Sequence, residues 1–280
     1  MLNKMIKNIF CFPHKLGQKR CGVEKAPVMF ANLLRKKHNN LQIQHVHCKE
    51  NEEGLFKNLK NLYCANNLID YKKRRLNIGG DHSMSLATLA YTLNYYPKAK
   101  VLWVDAHPDI NSYEASSSKN YHGMPLSFLN GIDKDPRFSF IDKKLLFRNI
   151  FYSGSRSLDS FEKKIIDEYN IKYFNAESVN NDVDHCIDTL NGFIDNSPFH
   201  LSFDVDAFDP SIIPHTGTPV ENGLLKEPGQ KLLQSLITKK NLVNMDLTEM
   251  NPDLYNNKNT KDESVKKMFS FVYDTIKPLF

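Results

Sequence analysis

The chain has 280 residues, of which 41% are hydrophobic and 25% charged, and its formal net charge is +5. This composition is typical of a soluble globular protein and too apolar for a disordered one. No apolar run approaches the length of about 18 residues that a membrane span needs. The charge is mild and no long basic block occurs, so nucleic-acid binding is not indicated. A chain of this length folds without a structural metal, so any metal site is expected to be functional.

The N-terminal segment and the cysteines bear on cellular location. The apolar run Ile9–Phe12 is too short for the core of a signal peptide. No acidic residue precedes Glu24, which leaves a mitochondrial presequence open, but the segment contains one Arg, Arg20, and no Ser. The cysteines show no C-x-x-C spacing. We therefore expect a cytoplasmic protein in a reducing compartment.

Short apolar runs alternate with stretches of helical periodicity along the whole chain. Eight runs are predicted strands: Lys7–Phe12, Leu41–Val46, Leu76–Ile78, Val101–Val104, Leu145–Tyr152, Ile171–Phe174, His200–Phe203 and Leu242–Met245. Helices are predicted between most of them, at Pro27–Arg35, around Leu55, Leu59 and Leu62, at Ser83–Tyr95 and at Asp159–Tyr169. The alternation predicts a single α/β domain over residues 1–280, a three-layer α/β/α sandwich around a mostly parallel sheet.

Polar segments follow four of these strands, and ligands of parallel sheets bind at the carboxyl ends of strands. The segments are Gly79-Gly80-Asp81-His82-Ser83, Asp105-Ala106-His107-Pro108-Asp109, Asp204-Val205-Asp206 and Asp246 to Glu249. Carboxylates that converge in a crevice are costly unless they are paired or bind a cation, so these segments predict a pair of divalent ions. Carboxylate and imidazole ligands without thiolate favour manganese over a structural zinc site.

Each segment also has a plainer interpretation when it is taken alone. Asp81 or Ser83 could cap the helix Ser83–Tyr95 without any further role. The histidines without a paired carboxylate motif are expected at the surface or in satisfied core positions; they are His14, His38, His45, His47, His185 and His200. The occurrence of four polar segments at successive strand ends favours a functional site.

The ordered set of motifs resembles the arginase or ureohydrolase family, and specifically the arginases. The similarity runs from Lys15-Leu16-Gly17-Gln18 and the segment Gly22-Val23-Glu24-Lys25-Ala26-Pro27, through GGDHS, DAHxDxN, HGMP, SFDVD and TGTP, to Glu249-Met250-Asn251-Pro252. The resemblance implies an arginase/deacetylase-like fold with eight parallel strands, a homotrimer or larger ring, and two manganese(II) ions per subunit. It also implies hydrolysis of L-arginine to L-ornithine and urea by a metal-bridging hydroxide.

The resemblance assigns the metal ligands residue by residue. The six implied ligands are His82, Asp105, His107, Asp109, Asp204 and Asp206. Asp105 and Asp204 would bridge the two ions, with His82 and Asp109 on one ion and His107 and Asp206 on the other. Asp109 is also counted among the catalytic residues.

Two further residues resemble catalytic residues of the family. Glu249 would orient the substrate guanidinium through two parallel hydrogen bonds, although it could instead be a cap of the last strand. His122 would donate a proton to the leaving amine, which imidazole can do near neutral pH. Thr218 resembles an active-site threonine, but a turn role beside Pro219 is an alternative.

Recognition of an α-amino acid is implied by a loop and a helix start. The loop positions implied to take the α-carboxylate are Asn111, Ser116, Ser118 and Asn120. Asp159 would take the α-ammonium, with Glu162 one turn further along the same helix face. Asp159 could equally be an N-cap, or serve both purposes.

Four positions depart from the arginase pattern, one of them Pro108, which lies inside the DAHxDxN segment where a small or hydroxylated residue is usual. Lys119 stands where arginases commonly carry Gly, so the carboxylate-binding loop could be displaced if this position needs a positive φ. Ser157 replaces a common Asp. His215 occupies a usually small position, where it could add a site contact.

The leading hypothesis is therefore an arginase that acts on the small molecule L-arginine. The alternatives are another ureohydrolase, such as an agmatinase or another guanidino-compound amidinohydrolase, and a non-catalytic metal-binding protein of the same fold. An agmatinase is expected not to need Asp159 or the contacts of Asn111 and Ser118, and the joint presence of these residues favours arginine. Retention of His122, Glu249 and all six ligands argues against the non-catalytic alternative.

Overall fold

Eight strands form one sheet in the computed structural model, which describes residues 5–51, 53–254 and 261–280. The strands are β1 (Asn8–Phe12), β2 (Gln42–His45), β3 (Arg75–Gly79), β4 (Lys100–Val104), β5 (Ile150–Gly154), β6 (Lys172–Asn175), β7 (Phe199–Asp204) and β8 (Leu242–Thr248). Every pair of neighbours is parallel, in the order β2-β1-β3-β8-β7-β4-β5-β6. The predicted eight-stranded sheet is confirmed, and among the described strands it is entirely parallel.

Helices cover both faces of the sheet. They are α1 (Ala26–Lys37), α2 (Gly54–Asn67), α3 (Ser85–Tyr95), α4 (Pro125–Asn130), α5 (Ser160–Glu168), α6 (Ala176–Asn181), α7 (Val183–Ile194), α8 (Lys226–Ile237) and α9 (Lys261–Ile276). Apolar side chains of α1 and α6 to α9 pack in one core, and those of α2 to α5 pack in the other. Within β1, Ile9 belongs to the first core and Phe10 to the second, as the alternation of a strand requires. This arrangement is the predicted three-layer sandwich.

Burial explains why the strands could be recognised from apolar runs. Every residue of β1, β3, β5 and β7 is buried, because helices cover both faces of these strands. The edge strands β2 and β6 contain no fully buried residue. Among the described residues, no helix is both long enough and apolar enough to cross a membrane.

Several predicted boundaries were wrong. The last strand, predicted as Leu242–Met245, continues to Thr248. The predicted strand Leu145–Tyr152 begins only at Ile150, because residues 147–149 form a 3-10 turn. The helix predicted from Ser83 begins at Ser85, after a 3-10 turn of residues 82–84. The Asp81 side chain accepts a hydrogen bond of 3.0 Å from the backbone N–H of Ser83, so the proposed capping role of Asp81 is observed.

The strand order places the four polar segments side by side. The segments follow β3, β8, β7 and β4, which are consecutive neighbours in the sheet. The end of β3 also approaches β1 closely, since the N–H of Gly80 donates to the Phe12 carbonyl at 3.1 Å. A Cβ at Gly80 would lie 1.7 Å from the His14 carbonyl oxygen. This edge of the sheet therefore needs glycine at position 80.

Gly80→Ala is expected to destabilise the protein, because the added methyl group meets backbone that cannot move freely. We expect a loss of about 2 to 4 kcal/mol in the free energy of unfolding. Gly192→Ala is the control, since no described atom lies within 4 Å of the place that its methyl group would take in α7. This change should raise the free energy of unfolding by about 0.5 to 1 kcal/mol, because alanine favours a helix more than glycine does. Urea denaturation measures both, and equal stability of the two variants would contradict the packing at Gly80.

Candidate metal and substrate site

A pocket of about 250 Å³ opens at the carboxyl edge of the sheet. All the predicted substrate residues line it: Asn111, Ser116, Ser118, Asn120, Asp159, Glu162 and Thr218. His122 and the predicted ligands His107, Asp109, Asp204 and Asp206 also line it. His82, Asp105 and Glu249 are not on its wall and are at most 1% exposed. The structure thus brings the predicted site residues to one place, in a buried group and a pocket-lining group.

The first cluster surrounds His82. Its Nδ1 atom lies 2.9 Å from Asp109 Oδ2, 3.0 Å from Asp105 Oδ2 and 3.1 Å from Asp204 Oδ2. None of these contacts has hydrogen-bond geometry, so this buried nitrogen has no hydrogen-bond partner among the described residues. A ring nitrogen carries at most one proton and cannot serve three carboxylates. Three carboxylate oxygens around one imidazole nitrogen instead form a donor set for a metal ion.

The second cluster surrounds His107 and shares Asp105 with the first. His107 Nδ1 lies 3.1 Å from Asp206 Oδ2 and 3.6 Å from Asp105 Oδ1. Asp105 therefore presents one oxygen to each histidine. The described residues contain two groups that could each hold a metal ion, one of His82, Asp105 and Asp109 and one of Asp105, His107 and Asp206.

Short turns after β4 and β7 fix these carboxylates. Asp105 accepts hydrogen bonds from the backbone N–H of His107 at 2.7 Å and from Trp103 Nε1 at 3.0 Å. Asp206 Oδ1 accepts from the N–H of Ala106 at 3.1 Å, which ties the two turns together. Asp204 Oδ1 accepts from the N–H of Asp206 at 2.9 Å, so only its other oxygen faces His82.

The electrostatics of the clusters show a shortage of positive charge. Burial, followed by the proximity of Asp105, raises the pKa of Asp109 to about 6. Burial and the neighbouring Asp206 raise the pKa of Asp204 well above its usual value. Burial would lower the pKa of His82, but the surrounding carboxylates outweigh it and raise that pKa well above 6.5. Protons on the histidines or divalent cations can supply the missing charge.

Glu249 is held behind the pocket by three donors. Its carboxylate accepts from Gln18 Nε2 at 2.7 and 3.0 Å and from the backbone N–H of His82 at 2.8 Å. His122 Nδ1 lies 3.2 Å from Glu249 Oε1. Burial would lower the pKa of His122, but the bond and the charge of Glu249 outweigh it and raise that pKa to about 9. The two predicted catalytic residues thus form a pair.

The predicted carboxylate-binding loop is arranged by its own backbone. The N–H of Lys119 donates to Ser116 Oγ at 3.1 Å, and the N–H of Asn120 donates to Ser118 Oγ at 3.2 Å. The two hydroxyl oxygens lie 3.3 Å apart, so one hydroxyl can donate to the other. At least one hydroxyl hydrogen then remains to donate to a ligand in the pocket.

Lys119, at a position where arginases commonly carry Gly, adopts a positive φ. Its φ is 58°, in the left-handed region, which costs a residue with a side chain about 1 kcal/mol. Its ammonium group donates to the carbonyl oxygens of Tyr113 and Glu114, at 2.5 and 3.0 Å. The side chain therefore closes the loop on itself, and Ser116 and Ser118 still line the pocket.

Asp159 and Glu162 form a capping box at the start of α5. Asp159 Oδ1 accepts from the N–H of Glu162 at 2.9 Å, and Glu162 Oε2 accepts from the N–H of Asp159 at 3.1 Å. The second carboxylate oxygen of Asp159 accepts from Asn111 Nδ2. Burial raises the pKa of Glu162 to about 8. The N-cap alternative is therefore observed, and both residues face the pocket as well.

The remaining predicted residues divide between the pocket and the loop behind it. Thr218 Oγ1 donates to Asp206 Oδ2 at 3.2 Å, and Ser157 lines the pocket. The expected site contact of His215 was wrong. His215 is 2% exposed and bonds to the Leu254 carbonyl and, at 2.6 Å, to Ser264 Oγ, so it connects the loop after β8 to α9.

Two residues that support the site could not be assigned a role from the sequence, Gln18 and Trp103. Gln18 was noticed only as part of a motif, and the chain separates it from Glu249 by 231 positions. Trp103 lies in the apolar run Val101–Val104, which predicts a strand and no further role. It also stacks on His82, with ring centroids 4.2 Å apart. A polar Gln inside a motif was the available signal for Gln18; nothing in the run around Trp103 distinguished it.

Comparisons with known proteins agree with this geometry. The sequence profile of the Arginase family matches residues 9–273. An arginase of Glaciozyma antarctica is 40% identical over 188 residues, which covers 63% of this chain and about half (54%) of that protein. Arginase-2, mitochondrial, of Rattus norvegicus is 32% identical over 301 residues, which covers 96% of this chain and 82% of that protein.

A solved structure is similar over the whole chain. The crystal structure of Entamoeba histolytica arginase in complex with L-ornithine gives a TM-score of 0.88 at 27% identity, covering 98% of this chain and 99% of that chain. The fold and the clusters define an α/β protein with a candidate metal site at its carboxyl edge. The chain belongs to the arginase family, as the extent of the profile match shows.

Lys119→Met tests whether the ammonium group closes the loop, because it keeps the left-handed backbone and removes the two hydrogen bonds. Amide hydrogen exchange in residues 113–119 should become about five- to a hundredfold faster, since each of the two lost hydrogen bonds contributes roughly 0.5 to 1.5 kcal/mol. Lys98→Met, at an exposed lysine between α3 and β4, is the control. Unchanged exchange in the loop would show that Lys119 does not close it.

Proposed function

We propose that this protein is an arginase, which hydrolyses L-arginine to L-ornithine and urea in a metal-dependent reaction. The observation that carries the proposal is the carboxylate of Asp105, which faces the histidines of two clusters beneath a pocket lined by hydroxyl, amide and carboxylate groups. The Entamoeba histolytica arginase of similar fold was solved with L-ornithine, the amino-acid product of this reaction.

The residues present fit two manganese(II) ions per subunit. The buried Nδ1 of His82 has three carboxylate oxygens around it and no hydrogen-bond partner in the part of the chain that the structure describes, and the donors are oxygen and nitrogen only. The proposed ligands are His82, Asp105, His107, Asp109, Asp204 and Asp206. Asp105 would contribute to holding both ions, because each of its oxygens faces a different histidine. When bound, such ions activate water for attack on a guanidinium carbon, which is otherwise resistant to hydrolysis.

His122 is proposed to hold the proton that the leaving amine requires. Its raised pKa keeps the imidazole protonated at neutral pH, and Glu249 fixes its orientation through Nδ1. His122 lines the pocket, so it can face a bound substrate. Glu249 lies behind His122, and a direct bond from Glu249 to the guanidinium stays a prediction.

The pocket wall supports recognition of both ends of an α-amino acid. Hydroxyl groups of Ser116 and Ser118 offer neutral donors to the α-carboxylate, and the exposed carboxylate of Asp159 offers a partner to the α-ammonium. Because the whole protein is mildly basic, attraction for a cationic substrate comes from these local carboxylates.

Urea release from L-arginine tests the proposed function. Purified protein is assayed before and after incubation with manganese(II), with agmatine as a second substrate and chelator-treated protein as the control. We expect manganese-dependent urea from arginine and little from agmatine. Urea from agmatine alone would favour another ureohydrolase. No urea from either substrate would contradict the proposed enzymatic activity and favour a metal-binding protein without turnover.

Two variants separate the contacts to the substrate's two charged ends, because agmatine keeps the ammonium group of arginine and lacks the carboxylate. Ser118→Ala should raise the KM for arginine about tenfold, the effect of a lost hydrogen bond to a charged group, and leave agmatine unaffected. Asp159→Asn keeps the helix cap and should raise the KM for both substrates, because both carry the ammonium group. This replaces the expectation from sequence that agmatine would not need Asp159. Steady-state kinetics measures both; an equal effect of Ser118→Ala on the two substrates would refute the carboxylate contact.

Three further properties stay proposals. We infer that residues 1–280 form a single domain, because one sheet receives strands from β1 near the start to β8 near the end. A homotrimer is proposed from the family resemblance, and sedimentation velocity tests it. A cytoplasmic location is proposed from the sequence features given above, and fractionation of cells tests it.

A further inference from the structure

A second group of buried polar side chains lies behind the metal clusters, between α3 and strands β7 and β8. Its centre is Asp246, which is 0% exposed and pairs with the equally buried His200, at 3.0 Å between Oδ2 and Nε2. Thr88 Oγ1 donates to the same oxygen at 2.6 Å and Ser85 Oγ at 2.8 Å. A fully buried carboxylate is costly even when hydrogen bonds compensate it, so this group calls for a role other than stability.

A chain of hydrogen bonds connects Asp246 to the metal site. Ser85 Oγ donates to Asp246 Oδ2 at 2.8 Å, Ser85 Oγ and Ser202 Oγ lie 3.3 Å apart, and Ser202 Oγ lies 2.7 Å from His82 Nε2. All four side chains are at most 1% exposed, so water does not compete for these bonds.

The direction of every hydrogen bond in this network follows from the ionised carboxylate of Asp246 at one end. An ionised carboxylate only accepts, so Ser85 must give its hydroxyl hydrogen to Asp246. The Ser85 oxygen then accepts from Ser202, whose hydrogen is thereby used. The Ser202 oxygen can in turn only accept from His82, which requires a hydrogen on Nε2.

Asp246 is suited to impose this direction because it stays ionised. Burial would raise the pKa of Asp246, but His200, Thr88 and Ser85 outweigh it and lower that pKa. The other oxygen, Oδ1, accepts from Asn77 Nδ2 at 2.8 Å, so both oxygens act as acceptors.

We propose that Asp246, Ser85 and Ser202 are positioning residues that fix His82 in the tautomer with hydrogen on Nε2. In this tautomer the lone pair of Nδ1 points at the oxygens of Asp105, Asp109 and Asp204, as a metal ligand must. The inference deepens the proposed function, and it rests on the metal-binding part of that function alone.

The test is the affinity of the purified protein for manganese(II), measured by competition with a fluorescent chelator and without arginine. Ser202→Ala and Ser85→Ala interrupt the chain and should weaken binding about ten- to hundredfold, the usual effect of losing a residue that orients a ligand. Thr88→Val is the matched control. It removes a hydrogen bond to the same oxygen of Asp246 but lies outside the path to His82.

The expected result is weaker binding in both serine variants, with Thr88→Val within about twofold of the parent protein. Parent-like affinity of Ser202→Ala, or equal weakening in all three variants, would overturn the proposal and indicate a purely structural network. A parent protein that binds no divalent metal would overturn it as well.

A second readout observes the tautomer directly. In metal-free protein labelled with ¹⁵N-histidine, at a pH high enough for the His82 ring to be neutral, the ring nitrogen shifts of His82 should report hydrogen on Nε2 in the parent and in Thr88→Val, and a mixture in Ser202→Ala. Hydrogen on Nδ1 in the parent would contradict the proposal. Because neither measurement uses arginine, the expected variant pattern supports this inference even in a protein that releases no urea.

Discussion

Four aspartates brought together in a buried crevice are the constraint on which the rest of this structure depends. Burial and mutual repulsion raise the pKa values of Asp109, Asp204 and Asp206, so the crevice demands positive charge. Among the six proposed ligands, only His82 and His107 can carry positive charge, as protonated imidazoles. The Nδ1 atom of His82 alone faces three carboxylates. A donor set of mutually repelling carboxylates is suited to divalent ions. The requirement for positive charge therefore connects the fold to the proposed chemistry.

The parallel sheet meets this constraint by placing four strand ends side by side. The order β3-β8-β7-β4 brings distant parts of the chain together, and turn amides then hold the carboxylates of Asp105, Asp204 and Asp206 in place. Two site residues, Asp109 and Glu249, have left-handed backbones with φ of 48° and 65°. Such conformations cost free energy and persist where the surroundings determine them, as at functional sites. Behind the clusters, the Asp246 network supplies the same rigidity to His82.

Much of this arrangement could be predicted because it depends on local patterns. Buried strands give apolar runs, and polar residues directly after them must meet at one edge, so His82, Asp105 and Asp204 were found from position alone. Partners distant in sequence were not. Gln18 and Glu249, or Ser202 and His82, come into contact only after the sheet has formed. The motifs that contain Gln18 and Ser202 do not indicate which residue each one contacts. Lys119 shows the limit differently: the positive φ was anticipated, but its closing contacts needed coordinates.

We propose that the carboxylate of Asp105 is shared between two metal sites. Crystals grown with manganese(II), with diffraction recorded above and below the manganese absorption edge, test it most directly. The account predicts two anomalous peaks, one beside His82 and one beside His107, with Asp105 contacting both. A single peak, or none beside His82, would contradict the paired site and the role given to its carboxylates.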